Sequence, residues 1–262
     1  MDKTAVVVGA GQTPGETIGN GRATAILFAR EGARVLCIDR DLASAEETVQ
    51  MITGEGGVAL AFQADITREA DCKALVDEAL ARLGRLDILH NNVGIGAGDA
   101  SITRLEEAGW ERILAVNLKG MWLTLKHALP AMRAQPSGGA IVNISSLAAI
   151  APANIIAYEV SKAGVNKLTT STAALNARHN IRCNAIMPGL MDTPMAIEAI
   201  AKARGESVAA VRAARDARVP LGGRMGTASD VAYAALFLAS DEAKFITGVV
   251  MAVDGGASVR FG

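Results

Sequence analysis

The 262-residue sequence has few cysteines and few histidines, and neither occurs in a metal-binding pattern. Cys37, Cys72 and Cys183 are scattered and odd in number, which is typical of a reducing compartment, and we interpret them as small apolar core residues. The histidines lie in unrelated segments, at His90, His127 and His179. Because no His/Asp/Ser spacing and no carboxylate–histidine cluster is present, the sequence indicates neither a hydrolase triad nor a metal site.

Two further features are missing: an excess of one charge and a long apolar run. The 26 basic and 27 acidic residues give a formal net charge of -1, so we expect no binding to nucleic acid or to an anionic membrane surface. No run approaches the ~20 apolar residues that span a bilayer. The N-terminus enters a predicted strand within four residues, which leaves no room for a signal peptide, and we expect a cytoplasmic protein.

The sequence also lacks a Pro/Ser-rich linker, a charge block or an internal repeat, so we predict a single domain over 1–262. Short apolar runs alternate with amphipathic stretches, which predicts an α/β fold: a doubly wound, seven-stranded parallel sheet with helices on both faces. The predicted strands are Ala5–Val8, Val35–Ile38, Ala59–Gln63, Leu86–Leu89, Ala140–Ile144, Arg182–Ile186 and Val249–Val253. Thr227 and Asp230 have the spacing of a capping box before a helix over 231–239.

One segment, at about 190–226, departs from this strand–helix rhythm. It follows the sixth predicted strand, where an element covering a substrate would lie. Its arginines are Arg204, Arg212, Arg215, Arg218 and Arg224. They fit either a cationic lid for an acidic substrate or the solvated face of an amphipathic helix, and the second interpretation is favoured because charge runs on helices usually face water.

A glycine-rich turn follows the first predicted strand. Gly9 and Gly11 come directly after the strand, and Gly19-Asn20-Gly21 opens the helix predicted over 22–30. Glycines permit a tight turn and close backbone approach, and a helix N-terminus offers unpaired N–H groups to a pyrophosphate. A strand, such a turn and a helix in this order predict a dinucleotide-binding site.

The second predicted strand is followed by a carboxylate, Asp39. At this position a carboxylate can accept hydrogen bonds from the adenosine ribose hydroxyls and would repel a 2′-phosphate, so the sequence favours NAD over NADP. Arg40 is adjacent and could hold that phosphate, but the glycine-rich turn carries Glu16 and no Lys or Arg before Arg22.

Tyr158 and Lys162 are four residues apart, which places a phenol and an ammonium on one face of a helix. A phenol with a pKa of about 10 is a poor base at neutral pH, and a nearby cation favours its ionised form. The pair can therefore serve as a proton shuttle. Alone, this spacing is more typical of a solvated surface pair.

Motifs elsewhere in the chain make the Tyr158–Lys162 pair informative. Ser145 and Ser146 end the apolar run over 140–144, Asn117 lies in Val-Asn-Leu-Lys-Gly, and Asn91-Asn92-Val93-Gly94 follows the fourth predicted strand. With the glycine-rich turn, with Asn-Ala-Ile-Met-Pro-Gly over 184–189, and with 245–248 and 253–256 near the C-terminus, these motifs cover nearly the whole chain. The sequence resembles the short-chain dehydrogenase/reductase family, whose fold is Rossmann-like.

The resemblance implies a catalytic set. Tyr158 would transfer a proton to or from the substrate oxygen, and Lys162 would lower the pKa of Tyr158 and bind the nicotinamide ribose. A serine would hydrogen-bond the reacting oxygen, and Asn117 would support a water relay to Lys162. The family's Ile-Ser-Ser pattern favours Ser146, whereas its usual spacing to the tyrosine favours Ser145; we choose Ser146, which requires a one-residue deletion within 147–157.

The resemblance also implies cofactor contacts: Asp65 and Ile66 with adenine, Asn92, Val93 and Gly94 with the adenosine portion, and Pro188, Gly189, Met191 and Thr193 with the nicotinamide end. Asp65 could instead cap the helix that follows. The glycine-rich turn departs from the family pattern, because Gln12 to Ile18 holds about six extra residues. This insertion either folds back over the pyrophosphate or touches nothing.

The sequence therefore predicts an NAD-dependent oxidoreductase that interconverts a secondary alcohol and a ketone on a small organic substrate. One alternative is an NADPH-dependent 3-oxoacyl thioester reductase, and another is a non-catalytic NAD-binding regulator on the same fold. A complete Asn/Ser/Tyr/Lys set argues against the regulator, which needs no proton relay. The resemblance further implies a homotetramer.

Overall fold

The structure is a computed structural model and describes residues 3–260. Its strands are β1 Thr4–Val8, β2 Arg34–Asp39, β3 Val58–Gln63, β4 Ile88–Asn91, β5 Gly139–Ile144, β6 Ile181–Pro188, β7 Met191–Asp192, β8 Gly226–Thr227 and β9 Val250–Val253. Seven of them form a parallel sheet in the order β3-β2-β1-β4-β5-β6-β9, and β7 pairs with β8 in a small second sheet. The predicted seven-stranded, doubly wound parallel sheet is confirmed.

Helices cover both faces of the sheet. They are α1 Asn20–Arg30, α2 Leu42–Gly54, α3 Glu69–Leu83, α4 Glu107–Leu114, α5 Met121–Arg133, α6 Ile156–Asn176, α7 Pro194–Arg204, α8 Val208–Asp216 and α9 Ala228–Ala239. A π-helical stretch, Ala115–Gly120, joins α4 to α5. In the described part of the chain, no helix is long and apolar enough to cross a bilayer.

Side-chain alternation along the strands builds two cores. In β1, Ala5 and Val7 pack with α1, α2 and α9 on one face, whereas Val6 and Val8 pack with α3 and α5 on the other. The strands are apolar on both faces because both faces are covered, which is why they read as continuous apolar runs. The cysteines are buried and free, as interpreted from the sequence.

The fourth predicted strand was misplaced. We predicted Leu86–Leu89, but β4 is Ile88–Asn91. The main-chain N–H of Leu86 donates to Gln135 Oε1 at 2.7 Å, and its carbonyl accepts from Gln135 Nε2 at 2.9 Å. The side chain of Gln135, just after α5, thus takes the place of strand pairing at Leu86, and the apolar run alone cannot reveal it.

The segment without strand–helix rhythm folds into α7 and α8, flanked by the short strands β7 and β8. Its own small core contains Ile197, Ala201, Val211 and Met225. The predicted capping box is confirmed, since Asp230 Oδ2 accepts from both Thr227 N and Thr227 Oγ1. The segment therefore forms a helical layer beyond the carboxyl end of β6.

The strand order places a crevice at the carboxyl ends of β1 and β4. Chain connections run outward in opposite directions from these two neighbours, because β2 and β3 lie on one side and β5, β6 and β9 on the other. Ligands of open α/β sheets bind in the crevice outside the strand ends at such a switch point. The predicted site residues lie at this edge of the sheet. Asp39 ends β2, and the glycine-rich turn, Asn92 and the serine pair follow β1, β4 and β5.

Candidate active site

The glycine-rich turn brings β1 and α1 into close contact. Gly9 has φ of +81°, and its N–H donates to Ile38 O at 2.8 Å. A Cβ at Gly21 would lie 1.9 Å from Gly9 O, so no larger residue fits there. Helix α1 begins at Asn20 without a side-chain cap, and Asn20 Oδ1 is buried without a hydrogen-bond partner. This end of α1 therefore keeps hydrogen-bonding capacity for a ligand.

Asp39 lies at the mouth of the same turn. Its Oδ2 accepts from Gly11 N at 3.0 Å, and its Oδ1 accepts from Asp41 N at 3.1 Å. A Cβ at Gly11 would lie 2.8 Å from Asp39 Oδ2, so the contact requires glycine. The carboxylate is thus fixed where β2 ends, beside exposed Arg40.

Arg22, the first basic residue after the glycine-rich turn, lies in α1 and is buried against α2. Its guanidinium donates to Thr48 Oγ1 and Ser44 O, each at 2.9 Å, and forms an ion pair with Glu47 at 2.9 Å. These bonds occupy the guanidinium between two helices. Arg22 is therefore a structural residue and is not free to bind a phosphate.

The residues expected at the adenosine end are placed around the turn. Asp65 Oδ1 accepts from the N–H and hydroxyl of Thr67, so the carboxylate caps a turn, and these bonds hold its pKa below the usual value despite burial. The Ile66 side chain is buried against Gly120. Asn92 Nδ2 donates to Gly9 O at 3.1 Å, and Val93 lies against Gly9. Asn92 and Val93 thus lie directly at the turn.

Tyr158 lies in the first turn of α6, half-buried, with Ser146 as a hydrogen-bonding neighbour. Burial raises the pKa of the Tyr158 phenol, and the Ser146 hydroxyl partly opposes this shift. A neutral phenol with a neighbouring hydroxyl can donate a proton to a substrate oxygen. Acting as a base requires a nearby positive charge.

The two serines have different surroundings. Ser145 is buried and its hydroxyl donates to Lys162 O at 3.0 Å. Ser146 is part-buried; its hydroxyl accepts from Ala148 N at 3.2 Å and also reaches Tyr158. Adjacent residues at a strand end face opposite ways, which explains why the two serine hydroxyls have different partners. The geometry favours Ser146 as the serine that meets a substrate.

Lys162 is a fully buried lysine one turn after Tyr158. Its Nζ donates to Ile144 O at 2.8 Å and lies 5.6 Å from the centre of the Tyr158 ring. Burial lowers the pKa of Lys162 to about 8. A Cβ at Gly94 would lie 3.0 Å from Nζ, so a larger residue there would crowd the ammonium.

Asn117 lies in the π-helical stretch, an irregularity that is frequent at functional sites. Its Oδ1 accepts from Ile95 N at 2.8 Å, and its Nδ2 donates to Ile95 O and Ser161 Oγ, each at 3.0 Å. The amide thus ties the loop after β4 to the helix that carries Tyr158 and Lys162. Its predicted part in a water relay stays a prediction.

Sequence reasoning missed Asp99, which holds the N-terminus of α6. Asp99 Oδ2 accepts from Tyr158 N at 2.7 Å, and Oδ1 accepts from Ala157 N at 3.3 Å. A carboxylate is favourable at a helix N-terminus, and this one orients the turn that carries Tyr158. Because the cap comes from a loop far away in sequence, no local capping signal precedes α6.

The expected nicotinamide-end residues connect β6 to α7. Pro188 ends β6, Gly189 N donates to Val253 O at 2.9 Å, and buried Thr193 is the residue before α7. Met191 is buried against Gly226, so its side chain belongs to the core and only its main chain remains for a ligand. This arrangement places Thr193 at the start of the helical layer.

The arginines of this layer are not equivalent. Arg212 pairs with Asp192 at 3.0 Å and with Glu16 at 3.5 Å. Arg215 is partly buried, donates to Met225 Sδ and has a lowered pKa, owing to burial first and then to Arg218 and Arg204. Arg204, Arg218 and Arg224 are exposed. Three of the five arginines thus face water, but the two on α8 do not, so the favoured interpretation of a helix with a solvated arginine face is only partly confirmed.

The histidines carry no catalytic arrangement. His90 is fully buried in β4, stacked edge-on against Phe28, and burial lowers its pKa to about 3. His127 contacts Glu69 at 3.3 Å, and His179 accepts a hydrogen bond from Arg178. Among residues 3–260, no cluster of His, Cys, Asp or Glu could hold a metal ion.

Comparison with known proteins identifies the class. Residues 16–258 match a family model described as "Enoyl-(Acyl carrier protein) reductase". A structure described as that of a short-chain dehydrogenase/reductase from Burkholderia xenovorans has 43% identity and a TM-score of 0.93, covering 99% of this chain and 98% of that one. The chain belongs to the short-chain dehydrogenase/reductase family of oxidoreductases.

Two relatives are informative about chemistry. Cis-4-hydroxycyclohexanecarboxylate dehydrogenase from Sinomonas cyclohexanicum is 41% identical over 97% of this chain and 96% of its own length. Carveol dehydrogenase from Mycobacterium avium, solved in complex with NAD, has 29% identity and a TM-score of 0.91, with 98% of both chains covered. Both are named for the oxidation of an alcohol.

The residues present fit the nicotinamide dinucleotide that this family uses. The glycine cradle at Gly9 and Gly21 leaves no space for a Cβ, and the uncapped start of α1 can bind a pyrophosphate. Asp39 is fixed at the end of β2, where the sequence predicts a contact with the adenosine ribose, and Gly94 lies beside the buried ammonium of Lys162. Which residue contacts which part of the cofactor stays a prediction.

The two serines provide a matched test of the site. Ser146→Ala should lower kcat about a hundredfold, since it removes a hydroxyl that stabilises the reacting oxygen. Ser145→Ala should leave kcat within about threefold but lower the free energy of unfolding by about 1 kcal/mol, because the Lys162 carbonyl loses its donor. Steady-state kinetics and urea unfolding distinguish them. The reverse pattern would assign catalysis to Ser145.

Proposed function

We propose that this protein is an NAD-dependent dehydrogenase that interconverts a secondary alcohol and a ketone on a small organic molecule. The observation that carries the proposal is the convergence of Ser146, Tyr158 and Lys162 at the crevice of a glycine-cradle dinucleotide fold. The names of the two relatives support an alcohol as substrate.

In the oxidation direction, Tyr158 takes the hydroxyl proton of the substrate while the Ser146 hydroxyl donates a hydrogen bond to the same oxygen. The Lys162 ammonium, 5.6 Å from the ring centre, stabilises the phenolate that must exist before the proton is taken. The nicotinamide ring supplies the hydride acceptor. In the reverse direction, the neutral phenol returns its proton to the ketone oxygen.

Asn117 and Asp99 act as positioning residues. Asp99 fixes the first turn of α6 through Tyr158 N, and Asn117 fixes the other side of the helix through Ser161. The rotation of α6 decides whether the phenol and the ammonium face the same cleft. Both contacts therefore maintain the geometry that the proton transfer needs.

NAD is the preferred cofactor in this proposal. Asp39 places a negative charge where NADP carries its 2′-phosphate, and Arg22 is already bound to Ser44, Thr48 and Glu47. Arg40 is the exposed cation beside Asp39 and is the residue that an NADP-binding variant would use. The predicted cytoplasmic location and homotetramer also belong to this proposal.

Asp39→Asn tests the cofactor preference. The change keeps a hydrogen-bond acceptor for Gly11 N but removes the charge, so the ratio of kcat/KM for NADP to that for NAD should rise about tenfold or more. Asp41→Asn is the control, since Asp41 is an exposed neighbour whose side chain accepts from Ser44 N. An unchanged ratio would place the selectivity elsewhere, with the inserted residues 12–18 as the first place to look.

The second candidate is an NADPH-dependent reductase of 3-oxoacyl thioesters, favoured by Arg40 and by a 37% identical relative from Thermotoga maritima that is named a 3-oxoacyl-[acyl-carrier-protein] reductase. A substrate panel separates the two candidates. It contains open-chain and cyclic secondary alcohols, including hydroxycyclohexanecarboxylates, with NAD or NADP, and acetoacetyl thioesters with NADH or NADPH. With NAD, we expect the absorbance of reduced nicotinamide to increase when an alcohol is added. Turnover confined to thioesters with NADPH would favour the second candidate, and binding of NAD without any turnover would favour a regulator.

A further inference from the structure

The inserted loop, residues 12–18, bridges the cofactor turn and the helical layer formed by α7 and α8. Its base is fixed by Gln12, whose Oε1 accepts from Gly19 N at 2.9 Å and whose main-chain N–H donates to Ser44 Oγ at 2.9 Å. Gln12 Nε2 also reaches Thr17 O at 3.4 Å. The loop is thus closed on itself at the start of α1.

The tip of the inserted loop lies against α7. A Cβ at Gly15 would lie 2.8 Å from Pro194 Cβ and 2.9 Å from Glu198 Cγ. Pro194 is the first residue of α7, and its ring cannot move aside as a flexible side chain could. The backbone at Gly15 is therefore in direct contact with the residue that follows Thr193.

A charged contact lies beside this packing contact. Arg212 of α8 pairs with Glu16 of the loop and with Asp192 of β7, at 3.5 and 3.0 Å. Glu16 is 73% exposed, so its pair contributes less than the packing at Gly15. Glu16 thus faces α8, so the loop is not the contact-free loop that was one alternative from the sequence. The other alternative, a loop that folds over the pyrophosphate, stays a prediction.

We propose that the inserted loop is a docking element that holds α7 and α8 over the substrate cleft, with Arg212 as a positioning residue. The proposal rests on the proposed function in one respect, because it takes this helical layer as the substrate cover. The loop begins directly after Gly11, whose N–H donates to Asp39, and ends just before the N-terminus of α1. It therefore joins the cofactor turn to the helical layer formed by α7 and α8.

Proteolysis of the cofactor-free, full-length protein tests the docking without any turnover. Gly15→Ala inserts a methyl group against Pro194, and Gly54→Ala is the control because a Cβ there has nothing within 4 Å. Trypsin sites at Lys202 and Arg204 lie on exposed positions of α7. We expect Gly15→Ala to raise the cleavage rate there about fivefold and Glu16→Gln about twofold, with Gly54→Ala unchanged.

Kinetics provide the second measurement. Both loop variants should raise the KM for the alcohol about threefold or more with kcat nearly unchanged, and Glu16→Gln should have no further effect in an Arg212→Gln background. Unchanged cleavage in both loop variants, or cleavage that rises equally throughout the chain, would overturn the docking role. Altered cleavage without any alcohol turnover would leave the docking intact and contradict the proposed function instead.

Discussion

Replacing Tyr158 by phenylalanine should lower kcat for alcohol oxidation about a thousandfold, which lies within the range of ~10²–10⁴ for general acid–base catalysis. The ring and its packing in the first turn of α6 are kept, and only the proton-transferring oxygen is lost. The dissociation constant for NAD should therefore stay within about twofold, as measured by fluorescence titration.

Tyr233→Phe is the matched control. Tyr233 is the other tyrosine of the chain, and 61% of it is exposed on α9, outside the candidate site. Its replacement should leave kcat and NAD binding unchanged. If Tyr158→Phe retained a rate near that of the unmodified protein, another group would have to move the proton and the assigned catalytic set would be wrong.

Replacing Lys162 by methionine should lower kcat at pH 8 and also weaken NAD binding. A nearby positive charge favours the ionised phenol, and the ammonium lies 5.6 Å from the centre of the Tyr158 ring. The inflection of log kcat/KM against pH should therefore move upward, with kcat at pH 8 falling about a hundredfold.

Lys167→Met is the control, because Lys167 is exposed on the same helix. A pH profile that does not move in Lys162→Met would show that the ammonium does not assist the phenol, whatever the loss of rate. Rate loss with normal NAD affinity would contradict the second role of Lys162, which is to bind the ribose.

The same lysine makes stability depend on pH in a defined direction. Burial lowers the pKa of Lys162 to about 8 in the folded cofactor-free protein, below its value of about 10.4 in the unfolded chain. Between these values the unfolded state binds more protons, so this group makes the free energy of unfolding rise with pH from about 8 to about 10.4. Urea unfolding should show this rise reduced in Lys162→Met.

Much of the fold was predictable because its signals are local. Strands buried on both faces read as apolar runs, and the Thr227–Asp230 capping box is a spacing rule that the structure fulfils. The family could be predicted from the sequence because each of its motifs serves one chemical purpose. The Tyr158–Lys162 spacing is also local, because four residues on a helix determine which side chains share a face.

What the sequence did not reveal depends on contacts between distant segments. Asp99 caps a helix that begins more than fifty residues later, and Gln135 replaces the strand pairing of Leu86. The bonds that hold the Arg22 guanidinium against α2 also join distant segments and have no local signal. The docking of Gly15 on Pro194 likewise joins two segments that no motif relates.

Transfer of a label between substrate and cofactor tests the central claim most directly. A secondary alcohol that turns over in the panel is supplied with deuterium on its carbinol carbon, and the reduced cofactor is analysed by mass spectrometry. We expect each reduced nicotinamide to carry one deuterium and the labelled cofactor to form at the same rate as the ketone. Tyr158→Phe should abolish formation of both. Ketone formation that releases the deuterium into water, or that leaves the reduced cofactor without deuterium, would contradict direct hydride transfer at this site.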